Sequence, residues 1–168
     1  YGLQGGALER FMDVRRRHQE MHSDRNRKAI VARSREKGYA LASHDDATDD
    51  HVAEAVEDGM VIAEFPTTVG AAHASRGHGL HVLMGAPNVV RGGSHSGNVA
   101  AMDLADRGLL DILSSDYVPN SLVQSAFMVA DTVPDISLPR AIATVSRNPA
   151  RAVGLDDRGE IAPGQRAD

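Results

Sequence analysis

The chain has 168 residues, 42% of them hydrophobic, 24% charged and 4% aromatic; at roughly 150 residues per domain this predicts one domain with a real core. No apolar run approaches the roughly 18 residues of a membrane span, and the absence of cysteine excludes disulfides, thiolate metal sites and thiol nucleophiles. A net charge of −5, from 23 acidic and 18 basic residues, argues against general nucleic-acid binding.

The N-terminal section, residues 1–38, is polar and locally basic, with Arg15, Arg16 and Arg17 in a row. It predicts two polar helices, about 6–21 and 25–37, with the arginines on a solvated face. The first residues have neither the basic head nor the apolar stretch of a signal peptide. Tyr1 is not an initiator methionine, so further sequence upstream is expected. The cysteine-free composition fits a cytoplasmic protein. His18 and His22 share a helix face, but Gln19 stands where a zinc-protease helix needs Glu, so both are read as surface residues.

Four short apolar runs follow, at 39–44, 60–65, 80–85 and 109–116. Continuous apolar runs of this length suit strands buried on both faces of a parallel sheet. Between them the spacing predicts helices over 49–58 (Val52, Ala55, Val56), 69–77 and 98–107 (Val99, Met102, Leu104). Gly59, Gly79 and Gly108 each stand where a C-terminal glycine would stop the helix before the next strand. Two more helices are expected, at about 122–130 and 139–146. The alternation is α/β with right-handed βαβ units. It suits either an open doubly wound sheet or part of a (β/α)8 barrel, a full barrel needing about 250 residues.

The polar residues point to the barrel fragment. Each run ends in chemically useful groups: Ser43, His44, Asp45 and Asp46; Glu64; Asn88 after the third; Ser115 and Asp116. Active sites of parallel α/β folds lie at that edge. His44, Glu64 and Asp116 are residue types that bind zinc or manganese. Asp46 is read as the start of the helix at 49. The segment 88–98 carries Arg91, Gly92, Gly93, Ser94, His95 and Asn98. Its glycines let backbone N–H groups approach an anion, a helix is expected to begin near Asn98, and Arg91 could hold phosphate oxygens bidentately. His51, His73, His78 and His81 fall at helix or turn positions and are read as structural or exposed.

Four segments carry a resemblance: Leu-Ala-Ser-His-Asp-Asp-Ala-Thr (41–48), Glu-Phe-Pro-Thr-Thr (64–68), Val-Leu-Met-Gly-Ala-Pro-Asn-Val-Val-Arg-Gly-Gly-Ser-His-Ser-Gly-Asn-Val (82–99) and Leu-Ser-Ser-Asp-Tyr-Val-Pro (113–119). They resemble the metal-dependent amidohydrolase superfamily, within its phosphonate-metabolism branch. The resemblance implies a (β/α)8 TIM barrel, of which residues 39–150 supply strands five to eight. It implies one or two divalent metals at the barrel mouth, zinc or else manganese. By position His44 resembles the strand-five ligand and Asp116 the strand-eight Asp. Glu64 stands where many relatives have the strand-six His, as a ligand or as a group behind one. No His-x-His pair occurs here, and neither Lys28 nor Lys37 follows a strand pattern. The first half of the barrel is therefore expected to lie outside the chain. Residues 159–168 resemble a segment that leads into a small β domain in relatives, so 151–168 is taken as that connection.

The implied activity is release of pyrophosphate from a ribose 1-methylphosphonate 5-triphosphate, a small phosphorylated substrate. Asp116 would orient and deprotonate water, and Arg91, Ser94, His95 and Asn98 would hold phosphate. Two alternatives stand beside it. One is hydrolysis of C–N bonds by the same kind of site. The other is an inactive half-barrel, whose open sheet edges predict a homo-oligomer or a partner that completes it.

Overall fold

The computed structural model describes residues 2–166 and falls into two compact units that divide between Tyr39 and Ala40. Tyr1, Ala167 and Asp168, at the ends of the expected N-terminal section and C-terminal connection, lie outside the described residues.

The first unit is one helix, α1 (Gly5–Lys37), not the two that were expected. The polar stretch at 22–24 does not break it. Asp24 accepts hydrogen bonds from Arg27 at 3.1 Å and Lys28 at 2.8 Å, and such i,i+3 and i,i+4 pairs stabilise a helix. The hydrogen bonds from Lys28 and Arg27 hold the Asp24 carboxyl below its ordinary pKa. The helix ends at Gly38, whose φ of 66° lets Tyr39 N–H reach back to the Ser34 carbonyl at 3.0 Å. Arg15, Arg16 and Arg17 are exposed, as a solvated face requires.

The second unit alternates strand and helix: β1 (Ala42–His44), α2 (Asp49–Glu57), β2 (Ile62–Glu64), α3 (Val69–Gly77), β3 (His81–Gly85), α4 (Ala86–Arg91), α5 (Ala101–Asp106), β4 (Ile112–Ser114), α6 (Ser121–Thr132), α7 (Leu138–Ala143) and α8 (Arg147–Ala152). The four strands form one parallel sheet in the order β1-β2-β3-β4. Every crossover therefore moves the chain one place in the same direction. A doubly wound sheet reverses at a switch point, whereas a barrel does not.

Strand alternation sorts the sheet into two faces. Ser43, Ala63, Val82, Met84 and Leu113 share one face. Val82, Met84 and Leu113 pack there with Leu104, Ala126 and Val129 in the main core, and Ala63 packs with Ala55 and Leu80. His44, Ile62, Glu64, Leu83, Gly85, Ile112 and Ser114 share the other face. Ile62 and Ile112 meet Ala152 of α8 there, with Val61 and Leu83 against them. Asn148 of α8 donates to the Asp111 carbonyl at 2.8 Å and ties that helix to the start of β4.

The ladders are shorter than the apolar runs, because a run reports burial and not pairing. At the start of β3 the Asp111 carboxylate accepts Val82 N–H at 2.8 Å, so a side chain takes over a backbone role. Leu113 N–H donates to the Thr144 carbonyl at 3.0 Å, so a loop occupies part of the β4 edge. The first residues of the expected loop 88–98 are helical, within α4. Pro87 is favoured in a helix's first turn, and Gly92, at φ 83°, closes it. The next helix starts at Ala101 and not near Asn98; Asn88 Oδ1 accepts Ala101 N–H at 2.9 Å. The α2 cap is Thr48, whose Oγ1 accepts His51 N–H at 3.3 Å, and not Asp46. No helix among the described residues is long and apolar enough to cross a membrane.

Candidate active site at the carboxyl edge of the sheet

A cavity of about 450 Å³ opens at the C-terminal ends of the strands. His44, Asp45, Phe65 and Asp116 line it from the strand ends, and Arg91, Ser94, His95 and Asn98 from the α4–α5 segment. Six of the seven residues expected to carry the chemistry are thus brought together. A larger cavity, about 860 Å³, lies beside α7, α8 and residues 158–166, and none of the seven lines it.

The backbone around the first cavity is unusual. Among the described residues three non-glycines have φ in the left-handed region: Asp45 at 60°, Phe65 at 54° and Asp116 at 49°. All three line this cavity. Asp tolerates that conformation better than most residues, whereas for a bulky Phe it is an outlier. Such strain costs about 1–3 kcal/mol per residue and persists only where the surroundings impose it.

The surroundings of Asp45 can be named. Its N–H donates to the Glu64 carbonyl at 3.0 Å, continuing the β1–β2 ladder. Ser43 and Asp46, on either side of the His44-Asp45 pair, are buried, and Ser43 Oγ donates to Asp46 Oδ2 at 2.5 Å. The Asp46 carbonyl accepts Thr67 N–H at 2.8 Å, which joins the β1 and β2 loops. Asp46 is therefore a clamp of the site's backbone rather than a helix start. We expect Ser43→Ala to lower unfolding free energy by about 1–3 kcal/mol, since it strips a buried carboxylate of its donor. Urea unfolding measures this, and an unchanged midpoint would show that the hydroxyl contributes nothing.

His44 Nδ1 lies 3.0 Å from Asp45 Oδ2. The Phe65 ring stands edge-on to the imidazole, with centroids 5.4 Å apart and planes at 83°. Asp116 and Phe65 both approach Gly85: a methyl group placed there would sit 3.4 Å from Asp116 Oδ2 and 3.6 Å from Phe65 Cε1. The bare backbone of Gly85 gives the two side chains room over the end of β3.

The segment 92–98 is tied to the β4 loop through Arg91. Its Nε and Nη2 donate to the Gly93 carbonyl at 3.2 and 3.0 Å, and its Nη1 donates to Tyr117 Oη at 2.9 Å. The guanidinium expected to grip phosphate is therefore engaged with its own loop, with its position at the cavity fixed. Ser94 Oγ accepts Ser96 N–H at 3.1 Å in a turn, and His95 and Asn98 are exposed.

Glu64 is the expected site residue that the cavity leaves out. It ends β2 in register with His44 and Leu83 and is half-buried. The next residue, Phe65, turns through its left-handed backbone and puts its ring into the lining instead. Among the described residues no three His, Asp or Glu side chains gather as a metal-holding group, so His44, Glu64 and Asp116 do not assemble as the expected trio. His44 and Asp116 fit part of such a set by their chemistry: an imidazole nitrogen and a carboxylate on one cavity. Sequence reasoning named Asp45 among the strand-end groups without assigning it a role, and missed Phe65 and Tyr117 as parts of the site. Asp45 and Tyr117 each adjoin a residue already singled out, a signal that was available; nothing in the sequence marks the backbone of Phe65.

The model of the Amidohydrolase family matches residues 2–168. Among curated proteins the chain is similar to the alpha-D-ribose 1-methylphosphonate 5-triphosphate diphosphatase of Escherichia coli (strain K12), 55% identical over 169 residues. That match covers 100% of this chain and 45% of the relative, so the chain spans less than half the relative's length. No solved structure matches the chain.

Proposed function

Because the chain belongs to the amidohydrolase family, we propose that it supplies strands five to eight of a (β/α)8 barrel in a phosphonate-metabolising phosphohydrolase. The reaction is release of pyrophosphate from a ribose 1-methylphosphonate 5-triphosphate, as the relative's name describes for that protein. On this reading residues 39–150 are the half-barrel, 151–168 lead to a small β domain, and the protein works in the cytoplasm. The remaining strands come from outside these residues or, in a homo-oligomer, from a second copy.

The observation that carries the proposal is the convergence of Asp45, Phe65 and Asp116, all with left-handed backbones, on one cavity with His44. Strain of this kind concentrates at functional sites. A divalent ion, zinc or manganese, would be held by His44 and Asp116, with its other ligands from outside the chain; when bound, it acidifies water and neutralises phosphate charge. Asp116 orients the attacking water and accepts its proton at the carboxylate. The water oxygen bonds to the phosphorus nearest the ribose as the bond to the departing pyrophosphate breaks. Arg91, Ser94, His95 and Asn98 stabilise the charge that moves onto the pyrophosphate. Glu64 serves as a supporting group on the sheet face below.

The test is a substrate panel on the intact, zinc- or manganese-loaded protein, comparing a triphosphorylated ribose phosphonate with N-acyl and cyclic amide substrates. Stoichiometric pyrophosphate from the first is expected. Turnover confined to the amides would overturn the phosphate assignment.

A further inference from the structure

We infer that Asp45 is a positioning residue for His44: its carboxylate holds the imidazole as the Nδ1–H tautomer and leaves the Nε2 lone pair for the ligand in the cavity. The inference rests on the proposed role of His44 and deepens it.

Consecutive residues of an extended strand point to opposite faces, so neighbours do not ordinarily meet side chain to side chain. His44 and Asp45 do, with Nδ1 and Oδ2 3.0 Å apart. What brings them together is the φ of 60° at Asp45, a turn no regular strand contains. The turn is fastened at three points besides the side-chain contact: Asp45 N–H on the Glu64 carbonyl, Ser43 on the Asp46 carboxylate, and Thr67 N–H on the Asp46 carbonyl. The His44 and Asp45 side chains are 57% and 59% exposed. Even a fully charged pair this exposed contributes little to stability, so stability gives no reason to hold a strained residue there. Orienting a ring does. Asp45 addresses Nδ1, Phe65 packs edge-on against the ring, and Nε2 is the remaining polar atom. A carboxylate behind a ligating histidine fixes its tautomer and orientation and raises its basicity.

The experiment uses the intact protein labelled with ¹⁵N-histidine. The His44 signals are assigned by their loss in His44→Asn. Asp45→Gly keeps the left-handed turn and removes the acceptor. Asp45→Asn keeps the turn and an acceptor oxygen. The expected result is Nδ1–H in the wild type and in Asp45→Asn, and a switch to Nε2–H in Asp45→Gly with an unchanged melting temperature. Titration with zinc alone should then show affinity about 10–100-fold weaker in Asp45→Gly than in the wild type. A wild type already in the Nε2–H form, or an Asp45→Gly protein that keeps Nδ1–H, would overturn the inference. If the tautomer switches as expected but the wild type binds no zinc or manganese, the positioning role stands and the metal reading of the cavity falls.

Discussion

Asp116→Asn in the intact protein is expected to lower kcat by about 10²–10⁴-fold, the range for loss of a positioned proton acceptor, with the melting temperature unchanged. Asn has nearly the shape of Asp and accepts the left-handed backbone that residue 116 adopts at φ 49°. The side chain is exposed at the cavity and lies against the bare backbone of Gly85, so the carboxylate's loss leaves no buried group without a partner. The variant therefore removes proton acceptance and little else. Asp111→Asn is the matched control. Asp111 sits at the opposite edge of the sheet, where its carboxylate accepts Val82 N–H and pairs with Arg76 at 2.8 Å. Its loss should lower stability and spare kcat. Steady-state kinetics and thermal unfolding of both variants make the comparison, and near-normal turnover in Asp116→Asn would refute the role of Asp116.

The sheet was legible in the sequence because burial leaves a strong trace. All four apolar runs contain strands, and the helix expected at 69–77 forms over those residues. Where the reading failed, local chemistry outweighed composition. Gly92 falls within the expected loop, yet Pro in a first turn and Gly just past the last are how a short helix is bounded, and α4 is that helix. The expected break in α1 does not form, because Asp24 pairs forward with Arg27 and Lys28 across it.

The site divides in the same way. His44, Asp116, Arg91, Ser94, His95 and Asn98 could be found because a parallel sheet delivers its strand ends to one edge. Residue type and position were enough to place them on one cavity. Glu64 satisfied the same rule and is still left out, since the lining is decided by backbone conformation at the following residue. Phe is among the residues least expected at positive φ, so composition and spacing carry no sign that residue 65 would turn its ring toward His44. The role of Asp46 was hidden for a related reason. An Asp shortly before a helix usually caps it, but here Thr48 takes the cap, and Ser43 engages the buried carboxylate.

Leu104→Ala is expected to destabilise the protein by about 3–5 kcal/mol, near the upper end for truncating a buried leucine. Leu104 is 0% exposed and lies in the main core with Val82, Met84, Leu113 and Val129. Its helix, α5, has six residues, too few to be stable without tertiary packing. The side chain therefore holds α5 as well as filling space, and the site can collapse around the cavity only by moving that helix. A typical domain has about 5–15 kcal/mol of stability in total, so this one change would consume a large share of it. Ile112→Val, a smaller cut on the other face of the sheet, should cost about 0.5–1.5 kcal/mol. The larger loss should also reach the proposed active site, because the segment with Ser94, His95 and Asn98 runs directly into α5. At temperatures where Leu104→Ala remains folded, KM should rise more than kcat falls, as a loosened segment weakens its hold on phosphate while Asp116 stays in place. Urea unfolding and steady-state kinetics test both parts. A loss below about 1 kcal/mol would mean that α5 does not depend on this side chain, the lower bound for truncations of this kind being well above that.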